Sequence, residues 1–387
     1  MKLGKLEIVL IAAVALVLLV NVALLFNVGS FNLLPPAANN DQNTGNPAAE
    51  TPKLRLLYVV NSDCVDCTPL AGFKSELEAQ GFSVTEERSI EFDSSEGLGV
   101  VDDFDLNRVP SILLFANQAA TDQLSEAIAP VRRLDMGDYV FVVGNVPPVF
   151  FDLQENRERG IVDVTVVFDL NCSECRQVPS EEQMAQSGFK LGQYRTLASS
   201  SLEGQAVAAD YKLQRLPSII FSRDVELYSE FFAGISNYGS KESDGNFVFR
   251  QFPPVYLDLN SGKKVGIVHA IFLGMNACAS CYDVNLHTGL LSQVFGLEVA
   301  TRTYVDVASA EGKKLLADYN VFLVPTILLS GDTNAYPGLL AAWSDFGTVA
   351  SDGRFVFRNL SAIGSDFNFF DLNSNQMVAG IDAEGSS

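Results

Sequence analysis

The sequence is poor in histidine, tryptophan and basic residues. Its 387 residues include two histidines and one tryptophan, and 26 lysines and arginines stand against 47 acidic residues, which gives a formal net charge of −21. Two histidines leave little room for histidine-based catalysis or for a histidine-rich metal site. Because no basic face is available to neutralise phosphates, we expect neither nucleic-acid binding nor broad docking on anionic lipid.

Cysteine is also scarce, but its placement is informative. The hydrophobic content of 48% is enough for folded cores, and the length predicts two or three domains. None of the six cysteines stands alone, because each belongs to a C-x-x-C pair: Cys64/Cys67, Cys172/Cys175 and Cys278/Cys281.

The N-terminal segment predicts a membrane anchor. Residues 8–26 form a nearly unbroken apolar run, which as a helix would span about 28 Å, close to the ~30 Å hydrocarbon core of a bilayer. Lys2 and Lys5 precede the run, and no basic residue follows it before Lys53. The positive-inside rule then keeps the short head cytoplasmic and carries the rest of the chain across the cell membrane as a single-pass protein. The rival interpretation is a cleaved signal peptide.

The rest of the chain is one unit written three times. Cys64, Cys172 and Cys278 recur at intervals of 108 and 106 residues, and downstream of each a glutamate precedes a proline by 14 residues. A Gly-x-[Tyr/Phe]-Val-Phe segment and a [Phe/Leu]-Asp-Leu triplet close every copy. So long a period indicates tandem globular domains rather than a solenoid. The predicted organisation is a head and anchor (1–27), a flexible linker (28–52) and three domains (53–158, 159–262 and 263–387).

Each copy predicts an α/β sandwich with a mixed sheet. A strand rich in β-branched and aromatic residues runs into the C-x-x-C motif, and an amphipathic helix should follow. A second strand, a second helix and two further strands complete a β-α-β-α-β-β order. The predicted first strands are 56–60, 164–168 and 265–272. The glutamates at the start of the second helix are interpreted as caps: Glu96, Glu203 and Glu311.

The strand, the C-x-x-C motif and a hydrophobic-Pro-[Ser/Thr]-Ile block 45–47 residues after the first cysteine resemble the thioredoxin superfamily, over most of residues 53–382. The resemblance implies three tandem thioredoxin-like α/β sandwich domains. With the predicted transmembrane helix before them, they are similar to a protein disulfide isomerase-type or an envelope thioredoxin-type oxidoreductase, and no cofactor is predicted. It also implies that the peptide bond before each proline is cis and that the proline faces the disulfide. The strand that contains the proline would hold the backbone of the substrate. These bonds are Val109-Pro110, Leu216-Pro217 and Val324-Pro325.

The expected chemistry is thiol–disulfide exchange. Free cysteine, with a pKa of about 8.5, supplies little thiolate at neutral pH. A first cysteine at a helix N-terminus would have its thiolate stabilised by unpaired N–H groups and by the helix dipole. The second cysteine would lie one turn deeper and resolve the mixed disulfide. We therefore assign nucleophiles at Cys64, Cys172 and Cys278 and resolving thiols at Cys67, Cys175 and Cys281.

The residues between the cysteines predict that the three sites differ. Asp66 and Glu174 place a carboxylate beside the sulfur, which disfavours the thiolate and so stabilises the disulfide. Arg176 offsets Glu174 in part, and the third pair encloses the uncharged Ala279 and Ser280. The hypothesis that follows is that the third site is the most oxidising and the first the most reducing.

Two functions of different classes remain open. In the first, the protein is a membrane-anchored thiol–disulfide oxidoreductase that makes, breaks or shuffles disulfides in exported proteins, supplied by a membrane redox partner. In the second, it is a tethered binding or chaperone scaffold whose C-x-x-C pairs are structural disulfides. Zinc held by paired thiolates would require cysteines of separate domains to meet, so no metal site is predicted. His287 is interpreted as a helix-face residue and His269 as a structural strand residue.

Overall fold

The computed structural model describes residues 52–127, 132–135, 139–144, 146–363 and 367–378. The predicted anchor at 8–26 lies outside these ranges, as does the predicted linker up to residue 51. Within the described ranges no helix is both long enough and apolar enough to cross a membrane. The anchor therefore stays a prediction.

The helices and strands follow the same order in each copy of the repeat. The first copy contains β1 (Lys53–Val60), α1 (Phe73–Ala79), β2 (Ser83–Glu91), α2 (Ser95–Asp103), β3 (Arg108–Val109), β4 (Ser111–Ala116), α3 (Gln118–Ala127), β5 (Arg132–Asp135), β6 (Tyr139–Val143), β7 (Phe150–Asp152) and β8 (Arg157–Arg159). The second contains β9 (Ile161–Phe168), α4 (Glu181–Ala185), β10 (Lys190–Ala198), α5 (Leu202–Asp210), β11 (Arg215–Leu216), β12 (Ser218–Phe221), α6 (Ser229–Ile235), β13 (Gly239–Lys241), β14 (Phe247–Phe249), β15 (Tyr256–Asp258) and β16 (Lys263–Val265). The third contains β17 (Val268–Gly274), α7 (Leu286–Phe295), β18 (Val299–Asp306), α8 (Ala310–Tyr319), β19 (Leu323–Val324), β20 (Thr326–Gly331), α9 (Pro337–Phe346), β21 (Gly347–Val349), β22 (Phe355–Phe357), β23 (Phe369–Asp371) and β24 (Gln376–Val378).

Each copy builds a five-stranded mixed sheet with the same strand order. The three orders are β2-β1-β4-β6-β5, β10-β9-β12-β14-β13 and β18-β17-β20-β22-β21. The first strand of each copy pairs parallel with the second and antiparallel with the strand after the proline. The mixed α/β class predicted from the sequence is therefore confirmed, and these sheets are consistent with thioredoxin-like domains.

The structure differs from the predicted element order in two places. A third helix in each copy (α3, α6 and α9) follows the strand after the proline, where the sequence analysis predicted two strands in succession. The single strand predicted at 265–272 is two strands, β16 and β17, because the chain turns at Gly266, whose φ is +98°. Such a φ is adopted readily only by glycine, so the break is fixed by this residue.

The sheet packs a core on each of its faces. Leu54, Leu56 and Tyr58 of β1 contribute to one apolar cluster, and Leu57 and Val59 contribute to the cluster on the other side. Successive side chains of a strand point to opposite faces, so a strand buried on both faces must be apolar at almost every position.

Each cis proline lies where the chain passes from a small sheet into the large one. Short three-stranded sheets form in the orders β3-β7-β8, β11-β15-β16 and β19-β23-β24. Pro110 separates β3, which belongs to the small sheet, from β4, which belongs to the large one. The predicted cis bonds are confirmed in all three copies: Val109-Pro110, Leu216-Pro217 and Val324-Pro325.

Serines, and not the predicted glutamates, cap the second helix of each copy. The Ser94 hydroxyl accepts a hydrogen bond from Gly97 N at 2.9 Å, and Ser201 and Ser309 make the same bond in the other copies. Glu96 lies in the first turn and pairs with Arg88. The capping interpretation of Glu96, Glu203 and Glu311 is therefore wrong, although an acidic residue in the first turn still complements the helix dipole.

Candidate functional site

All three C-x-x-C pairs are disulfides in the same kind of tight turn. In each copy the first cysteine follows the last residue of the first strand by four positions, and it is bonded to the second cysteine: Cys64–Cys67, Cys172–Cys175 and Cys278–Cys281. The N–H of the second cysteine donates to the carbonyl oxygen of the first at 3.2–3.3 Å. These bonds close a four-residue turn around each disulfide.

The predicted helix does not begin at the cysteines. A helix starting there would send the N–H of the residue after the second cysteine back to the carbonyl of the first. In the first copy Thr68 N donates to Val149 O at 2.8 Å instead. Arg176 N donates to Val255 O at 2.7 Å, and Tyr282 N donates to Asn368 O at 2.9 Å.

The first helix of each copy consequently begins five or six residues after the second cysteine. The expectation that a helix N-terminus stabilises the thiolate is therefore wrong. The dipole effect falls off within the first turn of a helix, so it does not reach the sulfur atoms here.

In the first two pairs the second cysteine is more exposed than the first, although the first was predicted to be the nucleophile. Cys64 and Cys172 are buried, with 7% and 8% of their surface exposed. Cys67 and Cys175 are half-buried, as are both cysteines of the third pair. An external thiolate must reach the sulfur that it attacks. In the first two copies the second cysteine is therefore better placed for that attack than the one predicted as nucleophile.

The first disulfide lies beside its cis proline and borders a cavity. Cys67 Sγ lies 3.9 Å from Val109 O, on the residue before Pro110. A cavity of about 330 Å³ is lined by both cysteines of this pair, by Pro110 and by polar residues of the first two strands, including Tyr58 and Glu87. Burial, together with the charge of Glu87, raises the pKa of Tyr58 and keeps its hydroxyl protonated.

In the third copy a buried tyrosine ties the disulfide turn to the cis proline. Tyr282, directly after Cys281, has its hydroxyl 2.5 Å from Pro325 O and 2.9 Å from His287 Nε2. A carbonyl can only accept, so the hydroxyl donates to Pro325 O and His287 Nε2 donates to the hydroxyl oxygen. His287 is buried in the core and not merely on a helix face. Of the residues predicted to hold substrate backbone, Val109 contacts Cys67, and Pro325 contacts Tyr282, the residue directly after Cys281.

Burial of His287 predicts a pH dependence of stability in the third copy. Desolvation lowers the pKa of His287 to about 4, against 6.5 for an exposed histidine. Below pH 6.5 the unfolded chain binds a proton at this residue and the folded chain does not, so stability is complete above pH 6.5 and falls towards pH 4. Unfolding by urea, followed by the fluorescence of Trp343, should show a loss of about 2–3 kcal/mol between pH 7 and pH 4.5 from this residue.

The matched variants are His287→Gln and His269→Gln, because His269 is exposed. His287→Gln should remove most of the pH dependence between pH 7 and pH 4.5, whereas His269→Gln should retain it. An unchanged pH dependence in His287→Gln would contradict the assignment.

Lysines neutralise the carboxylates inside the first two motifs. Asp66 pairs with Lys190 of β10, and Glu174 pairs with Lys264 of β16 at 2.5 Å. Hydrogen bonds from Lys264 and from Ser173 lower the pKa of Glu174 to about 2. The predicted partner Arg176 points instead towards Glu298, 3.8 Å away.

The third motif has an apolar neighbour in the place of a charged one. Met377 of β24 lies with its Sδ 3.3 Å from Cys278 Sγ and 4.0 Å from Ser280 Oγ. In the described part of the chain no group of three or more His, Cys, Asp or Glu side chains has the geometry to hold a metal ion.

Several of these residues were missed because they are distant in sequence from the cysteines. The repeat nevertheless contained a signal. Lys264 and Met377 each come seven residues after the first residue of the [Phe/Leu]-Asp-Leu triplet, and Glu158 holds the same place in the first copy. Tyr58 stands where the other copies have Val166 and Phe272, so a hydroxyl occurs in only one of three equivalent core positions.

Comparison with known proteins gives no family assignment. No protein-family model matches the chain, and no curated protein matches it. Among solved structures, the chain is similar to the NTD_N/C domain of alkylhydroperoxide reductase AhpF from Enterococcus faecalis, with 12% identity, a TM-score of 0.15, and coverage of 45% of this chain and 84% of that one.

Two longer structures are also similar. Full-length ERdj5 matches at 12% identity and a TM-score of 0.15, over 75% of this chain, which spans 43% of the ERdj5 chain. Human ERp44 matches at 10% identity and a TM-score of 0.13, over 80% of this chain and 92% of that one. At these identities and TM-scores the similarities do not establish a shared activity.

Proposed function

We propose that the protein exchanges disulfides with protein thiols through its three C-x-x-C pairs. The observation that carries the proposal is the threefold repetition of one arrangement. In every copy a disulfide-bonded C-x-x-C follows the first strand, and a cis proline precedes the neighbouring strand of the same sheet. All six cysteines belong to these pairs, so no cysteine serves another purpose.

The exchange proceeds in two steps. A substrate thiolate attacks the half-buried sulfur, such as that of Cys67, the Cys64–Cys67 bond breaks, and Cys64 leaves as a thiolate that takes up a proton. A second substrate thiolate then attacks the substrate sulfur of the mixed disulfide and releases Cys67. The substrate loses two electrons and forms a disulfide, and the C-x-x-C pair gains them; the reverse sequence reduces a substrate disulfide.

The local structure favours the disulfide as the resting state. A strongly oxidising C-x-x-C site stabilises its dithiol form, for which the dipole of a helix N-terminus is one means. Here the helix begins too late to act on the sulfur atoms, so we expect weakly oxidising sites. The order in which the third site is the most oxidising and the first the most reducing stays a prediction. The lysines that pair with Asp66 and Glu174 offset part of their negative charge. The reduction potentials of the three sites should therefore differ less than the carboxylates alone would predict.

We further propose that the chain acts outside the cytoplasm, held at the membrane by residues 8–26 and resupplied by a membrane redox partner. The apolar run and its flanking lysines support this placement. The substrates would be exported proteins that carry thiols or disulfides, because disulfides persist in oxidising compartments.

The test is to remove the cysteines from the full-length protein in sets. Changing all six to serine should reduce insulin reduction and refolding of scrambled ribonuclease about 100-fold, to the uncatalysed rate, because no sulfur remains to form the mixed disulfide. Three further variants, each keeping one pair, should each retain part of the activity. Far-UV circular dichroism checks that all three copies still fold, since closing each of these short loops contributes only about 2 kcal/mol.

One observation favours a second function, a binding scaffold with structural disulfides. Cys64 and Cys172 are buried, and buried structural cysteines are inert. If the six-serine variant were as active as the wild type, or if the wild type had no activity, the scaffold would replace the enzyme.

A further inference from the structure

In the second and third copies the C-x-x-C turn is contacted by one residue of the small hairpin that closes the copy. We propose that this residue sets the charge preference of the disulfide beside it: Lys264 cancels the repulsion that Glu174 would exert on an anionic thiol at the second site, whereas Met377 brings no charge to the third. The proposal rests on the proposed exchange function, and it concerns which partners react rather than whether exchange occurs.

The three hairpin residues occupy one register position. Glu158 pairs with Phe151 in the β7–β8 hairpin, Lys264 with Leu257 in β15–β16, and Met377 with Phe370 in β23–β24. Each partner is the first residue of the [Phe/Leu]-Asp-Leu triplet. We call Glu158, Lys264 and Met377 the hairpin residues.

In two copies the hairpin residue touches the C-x-x-C turn directly. Lys264 Nζ lies 2.5 Å from the carboxylate of Glu174, which stands between the cysteines of the second pair. Met377 Sδ lies 3.3 Å from Cys278 Sγ and 4.0 Å from Ser280 Oγ. It therefore contacts the first cysteine of the third pair and a residue that stands between the two cysteines. The same register position therefore reaches the same part of the motif from the same hairpin.

The chemistry at this position changes completely between copies. A lysine, a thioether and, in the first copy, a carboxylate occupy equivalent places, whereas the sheet, the turn and the disulfide stay the same. In the second and third copies the hairpin residue lies in contact with the turn that holds the disulfide. A fixed charge at such a distance raises or lowers the local concentration of a charged partner.

Small thiols of opposite charge can measure this selection without any protein substrate. Two molecules of thiol reduce one protein disulfide: the first forms a mixed disulfide and releases one cysteine, and the second releases the other cysteine and leaves as the oxidised dimer. The probes are 3-mercaptopropionate, which is anionic, and cysteamine, which is cationic. The quantity measured is the ratio of their reduction rates at one site, in full-length protein whose other two pairs are serine.

Lys264→Met should lower the anionic-to-cationic ratio at the second site about fivefold at low salt, and Met377→Lys should raise the ratio at the third site by a similar factor. Both shifts should become smaller at roughly 0.5 M salt, because dissolved ions then screen the attraction between charges that are more than a few ångströms apart. Both hairpin residues are partly exposed, so these variants should fold, and far-UV circular dichroism, which reports on all three copies, verifies that they do.

Matched controls lie one residue away on the same strands. Lys263→Met and Gln376→Lys make the same charge changes on side chains that point to the opposite face of the hairpin. Equal shifts in the controls, or no shift in either hairpin variant, would overturn the inference. An exchange-active protein with insensitive ratios would refute the selection alone. Shifted ratios in a protein without turnover would refute only the proposed function.

Discussion

Gly97→Ala should lower the free energy of unfolding of the first copy by about 3 kcal/mol or more. A β-carbon at residue 97 would lie 1.9 Å from the carbonyl oxygen of Glu91 and 2.8 Å from the backbone of Phe92. Both atoms belong to backbone at the end of β2, so no side chain can rotate away. The helix and the strand would have to separate, and the core between them would lose contacts.

The same close approach recurs in every copy. A β-carbon at Gly204 would lie 2.0 Å from Ala198 O, and one at Gly312 would lie 2.1 Å from Asp306 O. In each case the N–H of this glycine donates a hydrogen bond to the hydroxyl of the capping serine. The Ser-x-x-Gly pattern therefore fixes both the start of the second helix and its distance from the sheet.

Gly99→Ala is the matched control within the same helix, α2. A β-carbon there meets nothing within 4 Å, so the substitution should stabilise the helix by about 0.5–1 kcal/mol. Far-UV circular dichroism during urea unfolding follows all three copies, whereas fluorescence of the single tryptophan, Trp343, follows only the third. Gly97→Ala should shift an early part of the dichroism curve and leave the fluorescence curve in place. Similar dichroism curves for the two variants would contradict the close-approach explanation.

The sequence was sufficient for the parts of the fold that repeat. Three copies of one pattern of strands, helix start and proline predicted a mixed α/β class, and runs of β-branched and aromatic residues located the central strands. The cis bonds followed from the resemblance alone. These features are local or are repeated three times, which is why a single sequence contains them.

The late start of the first helix was not predictable from the C-x-x-C motif, because a distant segment decides it. Thr68 N is bonded to Val149 O, 81 residues away in the chain, and this bond replaces the one that would have begun a helix. Pro69 was the available local signal, since the residue before a proline disfavours the helical conformation. The motif alone also did not predict that Cys64 and Cys172 are the buried members of their pairs, and the assignment of nucleophiles stays a prediction.

The contacts between successive copies were missed although the repeat contained them. Asn117, Asp224 and Asp332 each stand seven residues after the cis proline of their copy. Asp224 and Asp332 accept a hydrogen bond from a glycine N–H at the end of the preceding hairpin, and Asn117 accepts one from Lys53 N. The bonds of Asp224 and Asp332 join the second and third copies to the hairpin that precedes each of them.

Asp224→Ala should lower the free energy of unfolding of the second copy by about 3–5 kcal/mol. The Asp224 carboxylate is almost fully buried and accepts from Arg159 Nε at 2.6 Å and from Gly160 N at 2.8 Å. Without it, a guanidinium that is 16% exposed and a buried backbone N–H lose their acceptor. Glu155 still pairs with Arg159 at 2.8 Å, which limits the loss.

Asp332→Ala is the control for this prediction. Asp332 accepts from Gly266 N at 3.1 Å, and within the described residues no ion pair of Asp332 is recorded. Its loss should cost only about 1–2 kcal/mol, the penalty of one unsatisfied donor. Because Trp343 follows the third copy, Asp332→Ala should shift the fluorescence transition slightly, and Asp224→Ala should shift the dichroism transition strongly with little effect on fluorescence. Equal shifts in Asp224→Ala and Asp332→Ala would show that the buried ion pair between Arg159 and Asp224 adds no stability beyond that of the hydrogen bond to the glycine N–H. A strong fluorescence shift in Asp224→Ala would instead show that the second and third copies unfold as one cooperative unit.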